Sequence, residues 1–419
     1  MGSVRDVRVN VIGAGFAGLA AAVELAAGGH DVVVFEARDR VGGRVWSEEL
    51  AGTVIERGAE FVLDGYDVMR EWVTRLGLEL APTGMSYYVR ESLGGPPVTI
   101  DEISAAGPAI DAAASAPSAV ALSVTDLLAG LPISEGVRAA VAARTAISSA
   151  WPADDLSAAT LCDTAQHLDA RPTHRVSGGN QRVAIGLAAR LTRAGGRLRL
   201  ATPVRSVRVA DAVTLCTDTG EHDSDAVVIA VPAAVLGDLV VEPAWPDWKH
   251  ASIARTAHGQ AAKLHAPLQD GRSPRTSAVL SVPNRYWCWT ATDLGGNVPP
   301  VVNCFAGSQP ALERLAVARG PDTWLDRLAE LRPDLSLDRD RALLTTWHDD
   351  PWSRMAYAAH RVGTAPDTEA LARPVGPLHF AGEHTDPECG GLMEGALRSG
   401  RRAAAEIEQL GSPPAKYPG

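Results

Sequence analysis

Apolar residues fall along this chain either in short runs or at helical spacing, and the order of the two patterns sets the fold class. A short apolar strand ending at Val11 and Ile12 gives way, at Gly13-Ala14-Gly15-Phe16-Ala17-Gly18, to an Ala-rich helix. A second apolar run, Val32 to Phe35, ends in Glu36, which completes a β-α-β unit. From about Asp64 to Leu80 the spacing is helical. From about Ala105 to Leu161 an Ala- and Ser-rich region carrying Leu127, Leu128, Leu131, Val137 and Val141 predicts several packed helices, an inserted cap. Val176-Ser177-Gly178-Gly179-Asn180 opens a helix from Arg182 to Ala194, with glycines suited to close approach of a ligand. Leu198 to Leu200, Val204 to Val209, Val213 to Cys216 and Ala226 to Pro232 read as strands returning to the first sheet. Between about Glu242 and Asp349, strand-like Gln260 to Ala266, aromatic Tyr286-Trp287-Cys288-Trp289 and helix-like Pro321 to Leu331 predict a second, mixed sheet. Leu378 to Glu383 holds a last short strand, Gly390 to Ala396 opens a helix to about Leu410, and the tail after Gly411 is expected to fray.

Composition narrows the class. The 419 residues are 46% hydrophobic and 21% charged, enough chain for two or three structural units. A net charge of −11 argues against a nucleic-acid partner and mildly favours cationic substrates. Cys162, Cys216, Cys288, Cys304 and Cys389 are scattered and odd in number, so reduced thiols and a cytoplasmic location are expected. The first apolar stretch carries the glycine motif without a basic leader, no run reaches the roughly 18 apolar residues of a membrane span, and no His or Cys spacing predicts a metal.

The glycines carry the first chemistry. Gly13 permits the tight turn, Gly15 lets the backbone approach a pyrophosphate, and Gly18 lets helix and strand pack closely, so free N–H groups and the helix dipole meet the phosphates. Glu36, twenty-three residues after Gly13, is placed to accept hydrogen bonds from ribose hydroxyls. In the basic turn from Arg38 through Gly42, Gly43 and Arg44, the two arginines are candidates to clamp phosphate.

These pieces, together with Gly58-Ala59, Gly178-Gly179, Ala230-Val231-Pro232, Lys263 and the block from Phe380 through Gly382, Glu383 and Met393 to Ala396, resemble the flavin-dependent amine oxidases. That group holds monoamine oxidases, polyamine oxidases and L-amino-acid oxidases. The resemblance covers nearly the whole chain. It implies an α/β fold with a discontinuous, Rossmann-like FAD-binding domain, residues 1–75, 176–241 and 371–419. The remainder, 76–175 and 242–370, would form a mixed-sheet substrate domain with the helical cap. By the same resemblance Val204 meets the adenine through its backbone, Glu383 contacts the ribityl or diphosphate region, and the helix start at Leu392 and Met393 aims N–H groups at the flavin's N1/O2 edge, where charge develops on reduction. Lys263 matches the lysine that holds a water at flavin N5, although a lysine on a half-buried strand is by itself usually solvated.

Other positions depart from the family. Tyr357 aligns with one of two rings that steer a neutral amine before the flavin, with ordinary packing as its alternative role, but the second ring falls at Leu392. Ala356 stands where monoamine oxidases place the cysteine bonded to flavin, so FAD is expected to be non-covalent. Phe61 stands where L-amino-acid oxidases often carry a carboxylate-binding arginine, which leaves Arg90 or Arg285 for that task. Glu60 is a candidate to attract a cation or to be structurally paired, Trp287 and Trp289 to line a cavity or fill a core, and Asp349-Asp350 to form a solvated turn.

The resemblance therefore implies oxidation of a small-molecule amine by hydride transfer to flavin, with molecular oxygen as acceptor and hydrogen peroxide as product. An L-amino-acid oxidase, a flavin desaturase or dehydrogenase that does not use oxygen, and a non-catalytic flavin-binding module are the rivals, and a homodimer is left open.

Overall fold

The computed structural model describes residues 7–162, 170–269, 271, 275–364 and 367–411. The tail after Gly411 lies outside the described residues.

Five parallel strands form the central sheet, in the order Leu378–Phe380, Ala226–Ile229, Arg8–Ile12 (β1), Asp31–Phe35 (β2) and Arg197–Arg199. β1 and β2 are buried at every position but the first, as parallel strands covered on both faces must be. Helix α1, Phe16–Ala27, buries ten of its twelve residues, which explains its alanines: there is no solvent side to make polar. It lies between the sheet and the C-terminal helix Met393–Gly411. The approach is so close that a Cβ on Gly400 would stand 2.2 Å from the Ala17 carbonyl oxygen, and one on Gly18 would stand 2.0 Å from that of Gly13. The core around α1 draws on residues 9–73, 176–191, 226–228 and 381–407.

The stretch from 197 to 231 does not wholly return to this sheet. Only its first and last strands do. Val204–Val209, Val213–Thr217, Gly220–Ser224 and Val240–Glu242 form a separate four-stranded sheet, with Val207, Val213 and Leu215 packed on Ile12, Val33 and Phe35 of the central sheet. The reason is legible in the pattern: Arg205, Ser206 and Arg208 put polar side chains on both faces of this strand, and only Val207 is fully buried, so it cannot serve as a strand covered on two sides.

The second main sheet has six strands, in the order Leu343–Thr346, Ala261–Pro267, Val301–Gly307, Tyr286–Thr290, Ser277–Ser281 and Glu91–Leu93. All pair antiparallel except the last, which runs parallel to Ser277–Ser281. The helices Ile100–Ala114, Val124–Ala129 and Glu135–Ser149 make the cap around their own core. Thr99 and Glu102 close a reciprocal capping box at the first of them. The cap meets the sheet where Gly307 lies against the Ile147 carbonyl. All five cysteines are free, including Cys288 and Cys304, which face each other across neighbouring strands. Among the described residues no helix is long and apolar enough to cross a membrane.

Because α1 and the C-terminal helix touch backbone to backbone at Gly400, Gly400→Leu is expected to force them apart and to cost on the order of 3 kcal/mol. Thermal unfolding checks this, and an unchanged midpoint would contradict it.

Candidate active site

A cavity of about 700 Å³ runs from the first glycine turn to an aromatic pocket under the cap, within the roughly 300–1,000 Å³ of ligand sites. At one end Gly13 sits at φ +105° with the Ala230 carbonyl 2.8 Å from where a Cβ would stand, so only glycine fits the turn. A Cβ on Gly15 would meet nothing within 4 Å, and Gly15 lines the cavity together with Gly43, whose φ is +58°. Since α1 starts at Phe16, the N–H groups of its first turn have no helical partners and stand at this wall.

Glu36, almost fully buried, accepts hydrogen bonds from the N–H of Ala14 (2.7 Å) and of Arg38 (2.9 Å), which holds the glycine turn to the end of β2. Arg38 lines the cavity but is not free: it donates to Asp350 (2.6 Å) and Ser353 (2.8 Å). Asp350 is therefore a partner of the basic turn and not the solvated residue its sequence neighbourhood predicts. Arg44 donates to the Ala356 carbonyl (2.6 Å) and to Glu383 (3.0 Å), while Glu383 also accepts from the N–H of Gly391 (2.9 Å). One buried carboxylate thus fixes the loop before the C-terminal helix against the basic turn. Val204, Gly382, Leu392 and Met393 line the same cavity, with Leu392 37% exposed at the mouth of the helix. Gly178 and Gly179 do not line it. A Cβ on Gly179 would stand 2.5 Å from the Ser47 hydroxyl, so the tight approach there is to the hairpin of Ser47–Leu50 and Thr53–Glu56, not to a ligand. The open face at Gly15, the helix start and two arginines held at the wall fit a phosphate-bearing dinucleotide.

At the other end Lys263, on Ala261–Pro267, is buried and donates to the Glu56 carbonyl and to the Glu60 carboxylate, both at 2.8 Å. Glu60 also accepts from the Trp289 indole at 3.1 Å and has Arg175 at 3.6 Å. Burial pushes the Glu60 carboxyl up, but Lys263 and Arg175 outweigh it and hold the group below the ordinary glutamate range. Glu56 feels the same Lys263 only weakly and is opposed by Glu60. Burial raises it to about 7, against hydrogen bonds from the Asn180 N–H (2.7 Å) and the Ser47 hydroxyl (2.8 Å). Phe61, Tyr87, Trp287 and Trp289 form the pocket wall. The two indoles stack at 4.2 Å, and Phe61 lies 5.4 Å from Trp289 and 5.7 Å from Trp287. These tryptophans therefore do both things alternate aromatics can do: they fill a core and line a cavity. Tyr357 faces the cavity with its hydroxyl donating to the Ser148 carbonyl at 2.8 Å, and burial pushes its phenol up.

Sequence reasoning missed Arg175, Asn180, Tyr87 and Ser148. Asn180 closes the glycine-rich turn at 178–180 and donates to the Ala59 and Glu60 carbonyls, so the turn itself was a signal. Arg175 sits in the three-residue strand His174–Val176 and Tyr87 in a loop, both too short to carry a pattern. Arg285 is half-buried beside Arg314 and lines no part of the cavity; neither does Arg90.

Residues 16–165 and 145–408 match the family described as flavin containing amine oxidoreductase. The chain belongs to this family. It is a flavin-containing enzyme acting on amines. A protein of Mycobacterium tuberculosis named "Putative flavin-containing monoamine oxidase AofH" is 30% identical over 96% of this chain and 97% of its own length. Putrescine oxidase of Kocuria rosea is 27% identical over 96% and 95%. The fold matches cyclohexylamine oxidase from Brevibacterium oxydans with a TM-score of 0.81 at 24% identity, over 97% of this chain and 99% of that one.

Because its folded-state pKa is depressed, Glu60 stabilises the fold above the ordinary glutamate range and loses that contribution as the pH falls through its folded value. Glu60→Gln leaves Lys263 and Arg175 without their counter-charge and is expected to cost about 3–5 kcal/mol at neutral pH, with the gap narrowing on acidification. Urea unfolding at neutral and acid pH checks both, and equal neutral-pH midpoints would contradict the pairing.

Proposed function

We propose that this enzyme holds FAD non-covalently and oxidises an apolar amine with a single nitrogen, using oxygen as acceptor. The observation that carries the reading is the pocket of Phe61, Tyr87, Trp287 and Trp289, whose hydrogen-bonded carboxylate, Glu60, is already engaged by Lys263 and Arg175. A second ammonium on the substrate would enter this wall without a free carboxylate to meet it. That argues against diamines such as the putrescine that a related solved structure is described as binding.

At the phosphate end Gly15, Gly43, the start of α1 and Arg44 would hold the diphosphate, Glu36 the ribose, and Val204 the adenine, with Glu383, Gly382 and the Leu392–Met393 turn at the flavin. When bound, FAD would supply the two-electron acceptor for the hydride that leaves the carbon α to nitrogen, with oxygen as the final acceptor and hydrogen peroxide as product. The residues of the chain do the rest. The aromatic wall and Tyr357 exclude water and orient the neutral amine, so its lone pair is available as the C–N double bond forms. The nitrogen gives up a proton, and the imine is released to hydrolyse. Lys263, ion-paired with Glu60, sets a fixed positive charge beside the pocket, suited to the negative charge that develops as oxygen is reduced. An amino-acid oxidase reading is disfavoured because Arg90 and Arg285 do not reach the cavity.

Two outcomes follow. In a peroxide-coupled assay an arylalkyl monoamine is expected to exceed putrescine by at least about 100-fold in kcat/KM, roughly 3 kcal/mol of differential transition-state binding; comparable values would reject the single-nitrogen reading. Lys263→Met is expected to slow reoxidation of the reduced enzyme by oxygen far more than its reduction by substrate. Stopped-flow absorbance of the two half-reactions checks this, and an unchanged oxidative rate would remove Lys263 from the oxygen step.

A further inference from the structure

We propose that Tyr87 is a further catalytic residue, the group that takes the proton given up by the substrate nitrogen as the C–N double bond forms. This rests on oxidation of an amine in the aromatic pocket, as proposed above.

Tyr87 lines that pocket beside Phe61 and Trp287, with ring centres 5.5 and 5.7 Å away. Its backbone N–H donates to the Thr173 hydroxyl at 2.9 Å, which anchors the loop. Its own hydroxyl donates to the Ser148 hydroxyl at 3.3 Å, while the Tyr357 hydroxyl donates to the Ser148 carbonyl at 2.8 Å. Two phenols of the cavity thus converge on one residue of the cap helix Glu135–Ser149, and the Tyr87 oxygen stands at the Tyr357 end of the wall.

Positive charge stands behind it. Arg90 is buried outside the cavity, with its guanidinium 3.9 Å from the centre of a Trp287 ring. Its Nε donates to the Tyr87 carbonyl at 3.2 Å, and its guanidinium also hydrogen-bonds the Tyr87 side chain. Burial raises the Tyr87 phenol, but the charge of Arg90, the Ser148 hydrogen bond and the charge of Arg144 outweigh that and hold it below the ordinary tyrosine range. Tyr66, Tyr88 and Tyr357 also face it, and burial pushes all three of their phenols up. Of these four phenols only that of Tyr87 is drawn towards its ionised form.

The reaction calls for such a group. The α C–H electron pair leaves as hydride and the lone pair of the neutral amine closes the double bond, which by itself would put a positive charge on nitrogen. Glu60 and Glu383 are already engaged, by Lys263 and Arg175 and by Arg44, so neither carboxylate is free to meet that charge. With Tyr87 as phenolate, the N–H bond breaks, its electron pair returns to nitrogen, and the proton forms an O–H bond on Tyr87. A neutral imine and a neutral phenol result. The Ser148 hydroxyl can turn, donating to the phenolate before the transfer and accepting from the phenol after it. The phenol gives its proton to water once the imine has left.

The test follows anaerobic reduction of the FAD-loaded enzyme across pH by 2-phenylethylamine, or by putrescine if the peroxide assay prefers it, with kred/Kd counted on the unprotonated amine. In the parent this constant is expected to rise with pH along one ionisation and level off, with a midpoint below about 10, the ordinary tyrosine value. Tyr87→Phe keeps the ring and is expected to lose that rise and to fall about 100-fold below the parent plateau. Replacing Tyr87 with a difluorotyrosine keeps ring and hydroxyl but acidifies the phenol, and should shift the rise to lower pH. His360 and His384 also line the cavity, both lowered by burial, and a rise owed to either would persist in Tyr87→Phe. Persistence there overturns the proposal, as does a rise indifferent to fluorination or a parent constant flat across pH. An enzyme that no amine reduces would instead remove the amine reading, and the proposal with it.

Discussion

The constraint on which the rest depends is the neutralisation of a buried carboxylate, Glu60, by charges from distant parts of the chain. Glu60 leaves the turn at Gly58-Ala59 that descends from the central α/β layer, whereas Lys263 and Trp289 belong to the six-stranded sheet and Arg175 to the segment that re-enters the first layer. Removing any one of them leaves an ion in a medium that cannot solvate it, so the two sheets are held in one relative placement by electrostatics as much as by apolar contact. The aromatic wall hangs from the same point through the Trp289 indole. Pocket shape and the placement of the Lys263 ammonium therefore depend on one side chain.

Arg44 and Glu383 play the corresponding part at the cofactor end. Their pair joins the basic turn after β2 to the loop before the C-terminal helix, and the Gly391 N–H and Ala356 carbonyl extend the link to two further segments. The hydrogen bonds of this junction are made within the protein.

What the sequence disclosed and what it concealed divide by range. The turn at Gly13 to Gly18, the strand ending in Glu36 and the helix opening at Met393 are local: each needs residue types that only a few backbone conformations require, so pattern alone locates them. The Arg38–Asp350 and Lys263–Glu60 pairs span 312 and 203 residues and have no local signature. The Gly178-Gly179 pair shows the converse limit. A glycine is demanded wherever a Cβ would collide, and here the obstacle is Ser47 and not a bound molecule. The separate sheet of Val204–Val209 and its neighbours was legible in the polar residues Arg205, Ser206 and Arg208 inside that strand, which a reading of apolar content alone passes over.

The edge strand Leu378–Phe380 and the helix Met393–Gly411 lie at the end of the chain, yet they complete the sheet and the helix layer begun by the first thirty-five residues. During synthesis α1 must therefore wait, uncovered on one side, until the chain as far as Gly411 has been made and released. The alanines of α1 suit that interval: a surface of small methyl groups offers little to bind the wrong partner while the right one is still being made.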